Sequence, residues 1–98
     1  MTYVYLVRGS RGEDVEDYGE WIVAAYLDAS KALEHRNRLL HALESWFAKT
    51  QEERVAVTGA FWKKAPVNAL DPVNGFSVDP YNERYWVDDV ELLEEVPT

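Results

Sequence analysis

A long amphipathic segment beginning at residue 28 sets the terms for the rest of this chain. Asp28 is a favourable N-cap, and Ala29-Ser30-Lys31 follows it as a first turn. Apolar residues then recur three and four apart at Ala29, Ala32, Leu33, Leu39, Leu40, Leu43, Trp46 and Phe47. The opposite side carries Lys31, Glu34, His35, Asn37, Arg38, His41, Glu44 and Ser45. Glu34 and Arg38 stand four apart in the favourable order, worth about 0.3–0.5 kcal/mol. The pattern predicts one helix of about 20 residues, roughly 30 Å long. In a chain of 98 residues such a helix crosses the whole of a small sheet. One domain, 1–98, is therefore expected, burying roughly 60–65% of its extended surface.

Strand patterns flank the helix. Thr2 to Val7 is β-branched and aromatic, and Arg8-Gly9-Ser10-Arg11-Gly12 reads as a break after it. Glu20 to Leu27 predicts a second strand. Strict alternation places Trp21, Val23, Ala25 and Leu27 on one face and Ile22, Ala24 and Tyr26 on the other, which suggests a central strand covered on both sides. Glu83 to Leu93 predicts a last strand, with Tyr85 and Val87 on one face and Trp86, Val90 and Leu92 on the other. Phe76 to Val78 suits a short strand and Asp79-Pro80-Tyr81-Asn82 a turn. Residues 50–64 read two ways. Thr50 and Glu53 have capping-box spacing, with Lys63 and Lys64 suited to a last turn, whereas Val55-Ala56-Val57-Thr58-Gly59 is a fair strand. The expected fold is α+β: a mostly antiparallel sheet of three to four strands packed on one long helix, with a second short helix as the favoured reading of 50–64.

Charge is the next constraint. The net charge is −8, and it is unevenly laid out. Residues 1–28 balance at −4, two arginines against six acids. Residues 29–64 balance at +3, seven basic residues against four acids, and residues 65–98 at −7, with Arg84 alone against eight acids. The acids gather in two blocks: Glu13, Asp14, Glu16, Asp17 and Glu20, then Asp88, Asp89, Glu91, Glu94 and Glu95. Such a balance argues against direct nucleic-acid binding, which needs a basic footprint. Four Trp, six Tyr and three Phe exceed what one helix–sheet seam hides, so some of them should line the far face of the sheet or a cleft.

Residue types exclude much chemistry. With no cysteine, disulfides, iron–sulfur clusters and thiol catalysis are out. His35 and His41 are six apart, about 120° around a helix, and read as exposed surface residues rather than shared metal ligands. Asp14-Val15-Glu16-Asp17-Tyr18-Gly19 starts like a calcium loop, but Tyr18 and Ala25 stand where that loop needs its further ligands. No serine sits in a nucleophile-elbow setting, and no pair of carboxylates is singled out by spacing. Phe61-Trp62-Lys63-Lys64 is the one basic–aromatic cluster, and it reads as a helix end with Phe61 or Trp62 in the core. The longest apolar run, Trp21 to Leu27, is seven residues, too short to span a membrane. Neither a signal peptide, a metal, a cofactor nor an enzymatic activity is expected.

Five stretches carry a resemblance: Tyr3-Val4-Tyr5-Leu6-Val7, Ile22-Val23-Ala24-Ala25-Tyr26-Leu27, Asp28-Ala29-Ser30-Lys31-Ala32, Leu70-Asp71-Pro72, and Tyr85-Trp86-Val87-Asp88-Asp89-Val90-Glu91-Leu92. Through them the chain resembles a group of small phage and prophage proteins of strand-strand-helix-strand type that share no established activity. Residues 50–67 have no counterpart there. The resemblance implies an accessory phage protein acting in the bacterial cytoplasm, and small acidic phage proteins resemble inhibitors of host defence, anti-CRISPR proteins among them. The expectation is a non-enzymatic, acidic protein-binding module that inhibits a host nucleic-acid-handling complex. Its partner would be a basic host protein or nucleoprotein complex. Its contacts would be Glu13, Asp14, Glu16, Asp17, Asp88, Asp89 and Glu91, with Tyr85 and Trp86 as aromatic anchors. The alternative is a homodimeric accessory or regulatory protein joined through its sheet face, its charge serving only solubility.

Overall fold

The computed structural model describes residues 2–12, 19–63, 70–76 and 83–92. The elements run β1 (Thr2–Arg11), β2 (Gly19–Tyr26), α1 (Ala29–Ala48), α2 (Gln51–Thr58) and β3 (Arg84–Leu92). The strands make one antiparallel sheet in the order β2-β1-β3. The helix α1 packs on one face, so the class is α+β, with three strands among the described residues. Phe76 is buried in the core outside any strand. The rest of the expected short strand, and the expected turn at 79–82, fall outside the described residues.

The core is Val7, Val23, Ala32, Leu39, Trp46, Phe76 and Tyr85. Ala32, Leu39 and Trp46 lie seven apart, two turns each, and form the buried stripe of α1. Asp28 caps that helix: its carboxylate accepts from the Ser30 hydroxyl at 2.6 Å and the Ser30 backbone N–H at 2.8 Å. These bonds hold the Asp28 carboxyl below its usual value. The expected Glu34–Arg38 pair is present at 2.7 Å.

Two strand expectations are corrected. First, β1 does not break after Val7 but continues to Arg11. Gly9 sits inside the strand because a Cβ there would lie 2.6 Å from Trp21 Cε2; the missing side chain is the seat of the indole. Second, among the described residues β2 is an edge strand, not a central one, and its alternation is interrupted. Val7 pairs with Ala24 but Arg8 pairs with Ile22, leaving Val23 as a bulged extra residue. Trp21 and Val23 therefore share the core side with Ala24 and Tyr26. Ile22, Ala25 and Leu27 are exposed.

The helix reading of 50–64 holds, but α2 is short. Thr50 and Glu53 close the capping box, with Thr50 N–H to Glu53 Oε1 at 3.1 Å and Glu53 N–H to Thr50 Oγ1 at 3.2 Å. The Thr50 backbone bond, then its hydroxyl bond, hold the Glu53 carboxyl below its usual value. Gly59, at φ 86°, ends the helix in the left-handed region. Lys63 is therefore not in a last turn, and Lys64 lies outside the described residues. Phe61 and Trp62 are 51% and 83% exposed, which overturns their placement in the core. Arg54 is buried and joins the helices: it donates to the Phe47 and Lys49 carbonyls and lies 5.5 Å from the Phe47 ring centroid.

Candidate functional site

Strand alternation sorts the acids of β3 onto opposite faces of the sheet. In an antiparallel pair, residues directly opposite point the same way and stand about 5 Å apart. Asp89 faces Tyr5 and Glu91 faces Tyr3 across β1. Tyr5 packs against the core, so this is the α1 side of the sheet. Asp89, Glu91 and Tyr3 are exposed and Tyr5 is half-buried. Among the described residues neither Asp89 nor Glu91 has an ion-pair partner. The result is an acid–tyrosine corner at one end of the sheet.

Asp88 and Trp86 lie on the other face. Arg8 donates to Asp88 at 3.1 Å, reaches Glu20 at 3.5 Å, and lies 5.8 Å from the Trp86 ring centroid. Asp88 is thus already paired within the chain, and Trp86 is half-buried with a guanidinium over its ring. Of the three acids expected as contacts on this strand, Asp88 belongs to a different surface from Asp89 and Glu91.

Tyr85 is no surface anchor, because it is 5% exposed and built into the core. Its hydroxyl donates to Asp71 Oδ2 at 2.7 Å, and the Trp21 indole N–H donates to the same oxygen at 3.0 Å. Asp71 Oδ1 accepts the Val73 and Asn74 backbone N–H groups, both at 3.1 Å. Burial first, and then the Asp71 bond, push the Tyr85 phenol well above its usual value. Asp71 is 0% exposed, out of reach of any substrate; it ties segment 70–76 to β2 and β3. His35 ties the same segment to α1. Its Nε2–H donates to the Leu70 carbonyl at 2.6 Å, and its Nδ1 accepts from the Tyr26 hydroxyl at 2.8 Å. His35 is therefore not the exposed residue that helix position alone suggests.

Glu13, Asp14, Glu16 and Asp17 fall outside the described residues. The strand ends that flank them, Arg11 and Gly19, pair with each other at the end of the sheet away from Glu91. Tyr3 and Arg11 are eight steps apart on β1, roughly 26 Å. Tyr3 and Tyr5 enter the site only through the register, which no local pattern reveals, although their alternation with Val4 already marks them as one face.

Two clefts open beside α1, of about 790 and 380 Å3. Glu34 and Arg38 line both and are paired with each other. Among the described residues there is no group of three or more potential metal ligands, and no helix long and apolar enough to cross a membrane. No protein-family model matches the chain, and no curated protein or solved structure is significantly similar to it.

Proposed function

We propose that this chain is a non-enzymatic, acidic protein-binding module that docks its acid–tyrosine corner on a basic protein surface. The observation that carries the reading is the placement of Asp89 and Glu91, exposed, without ion-pair partners among the described residues, beside Tyr5 and Tyr3. Exposed carboxylates give steering and register, and adjacent tyrosines give apolar contact with a polar tip. In the setting that the phage resemblance implies, the partner is a nucleic-acid-handling complex of host defence, of the CRISPR kind, which the module inhibits. The net charge of −8 supports a basic partner and opposes direct contact with nucleic acid.

The test is capture from nuclease-treated bacterial lysate at low and high salt, using the native chain and an Asp89→Lys/Glu91→Lys variant. A nucleic-acid-handling complex should be retained at low salt, released at high salt, and lost at least tenfold in the variant. Equal capture by the variant, or recovery of the chain alone, removes this reading.

A further inference from the structure

The face of the sheet opposite α1 has a layout of its own. Register places Val4, Leu6, Arg8 and Ser10 of β1 there, with Ile22, Ala25 and Glu20 of β2 on one side and Leu92, Val90, Asp88, Trp86 and Arg84 of β3 on the other. Ile22, Val90 and Leu92 are 52%, 47% and 51% exposed. Among the described residues its charges are Arg8 and Arg84 against Glu20 and Asp88, which balance, on a chain of net −8. A basic partner gains nothing there, and the acid–tyrosine corner lies on the other side. What the face matches is itself.

We infer that this face is the interface of a symmetric homodimer. In a face-to-face pair of sheets whose twofold axis runs along β1, β2 of one copy lies over β3 of the other. Glu20 and Arg84 flank Ser10 in the same row, so each Glu20 meets the partner's Arg84 and each Arg84 the partner's Glu20. One row along, Ile22 meets the partner's Trp86 while Arg8 lies on the axis, its charge met within each copy by Asp88 and Glu20, and beyond it Leu6 and Val4 pack about the axis. The twist between packed sheets, about 30°, leaves this correspondence in place near the axis. Arg84 is exposed and has no ion-pair partner among the described residues, and Glu20, which receives Arg8 of its own copy at 3.5 Å, would take the partner's Arg84 as a second cation. The contact is isologous, hence closed, and needs no further copies.

The experiment is sedimentation equilibrium of the full chain across a hundredfold range of concentration, with circular dichroism on every variant. The native chain should reach twice 11.3 kDa. Ile22→Lys and Arg84→Glu each alter an exposed side chain and should weaken dimerisation at least tenfold with an unchanged spectrum. Asp89→Lys/Glu91→Lys should stay dimeric, so failure of the functional proposal and failure of this one are separable. A mass of 11.3 kDa throughout, or a dimer indifferent to both far-face variants, overturns the inference. A monomer that loses a captured partner through Ile22→Lys overturns it too, and assigns the face to that partner.

Discussion

Gly9 and Trp21 share one volume. The indole lies where a Cβ at residue 9 would project, at 2.6–2.8 Å from three ring atoms. The ring cannot swing aside cheaply. Its N–H is held by Asp71 at 3.0 Å, and it meets Tyr85 edge-on at 6.3 Å and 84°. Gly9→Ala should therefore destabilise the fold by about 1–3 kcal/mol, as overpacking does, read as a lower midpoint in denaturant unfolding with an unchanged slope. An unchanged midpoint would mean that the indole has another seat. This pairing explains why Arg8-Gly9-Ser10-Arg11-Gly12 looks like a break in the sequence and is a strand in the structure. A glycine that makes room for a ring from the next strand has the same local signature as one that bends the chain. Asp71 is equally illegible: donors converge on it from β2, β3 and its own loop, and nothing in Leu70-Asp71-Pro72 announces them.

The elements divide by how local their causes are. The start of α1 is legible because Asp28 and Ser30 are two residues apart, and the start of α2 because Thr50 and Glu53 are three apart. The sides of β2 are not legible, because one bulged residue, Val23, reverses the alternation midway. The same non-locality governs the site. Asp89 and Glu91 are visible as acids, but their separation from Asp88 and their pairing with tyrosines depend on a strand more than eighty positions upstream. The capping box of α2 yields a pH prediction. Glu53 titrates lower in the folded helix than in the unfolded chain, so its contribution is fully present above the ordinary glutamate range. That contribution is lost as pH falls through the lowered folded value. Amide shifts of Val55 to Thr58 should move toward coil values on acidification below that range. In Glu53→Gln the same amides should be less helical at neutral pH and nearly flat across the window. An identical titration in both chains would detach the helix end from the box.

At the scale of the whole molecule, the two proposed surfaces should answer to salt with opposite signs. The molecule is a slab 18 Å thick, one helix layer on one sheet. Two copies of charge −8 held about 20 Å apart repel by roughly 10 kcal/mol before screening, whereas two exposed ion pairs return about 2 kcal/mol. Repulsion is therefore the larger salt-sensitive quantity, and dimerisation should tighten between about 20 and 150 mM salt as the Debye length shortens. Capture of a basic partner should weaken over the same interval. Sedimentation equilibrium and the capture assay on one preparation read both slopes; slopes of the same sign would show that one surface serves both contacts. The order of strands in the sheet has a temporal consequence as well. β1 is the central strand, and one of its two neighbours is β3, separated from it by α1 and α2 in the chain. A ribosome adding roughly 5–20 residues per second takes about 4–15 s to go from the end of β1 to the start of β3. Through that interval the edge Tyr3-Val4-Tyr5-Leu6-Val7 waits with its backbone hydrogen bonds unclaimed, the kind of edge that other chains can add to. During synthesis, the segment that ends up most enclosed by the sheet is the one left open longest.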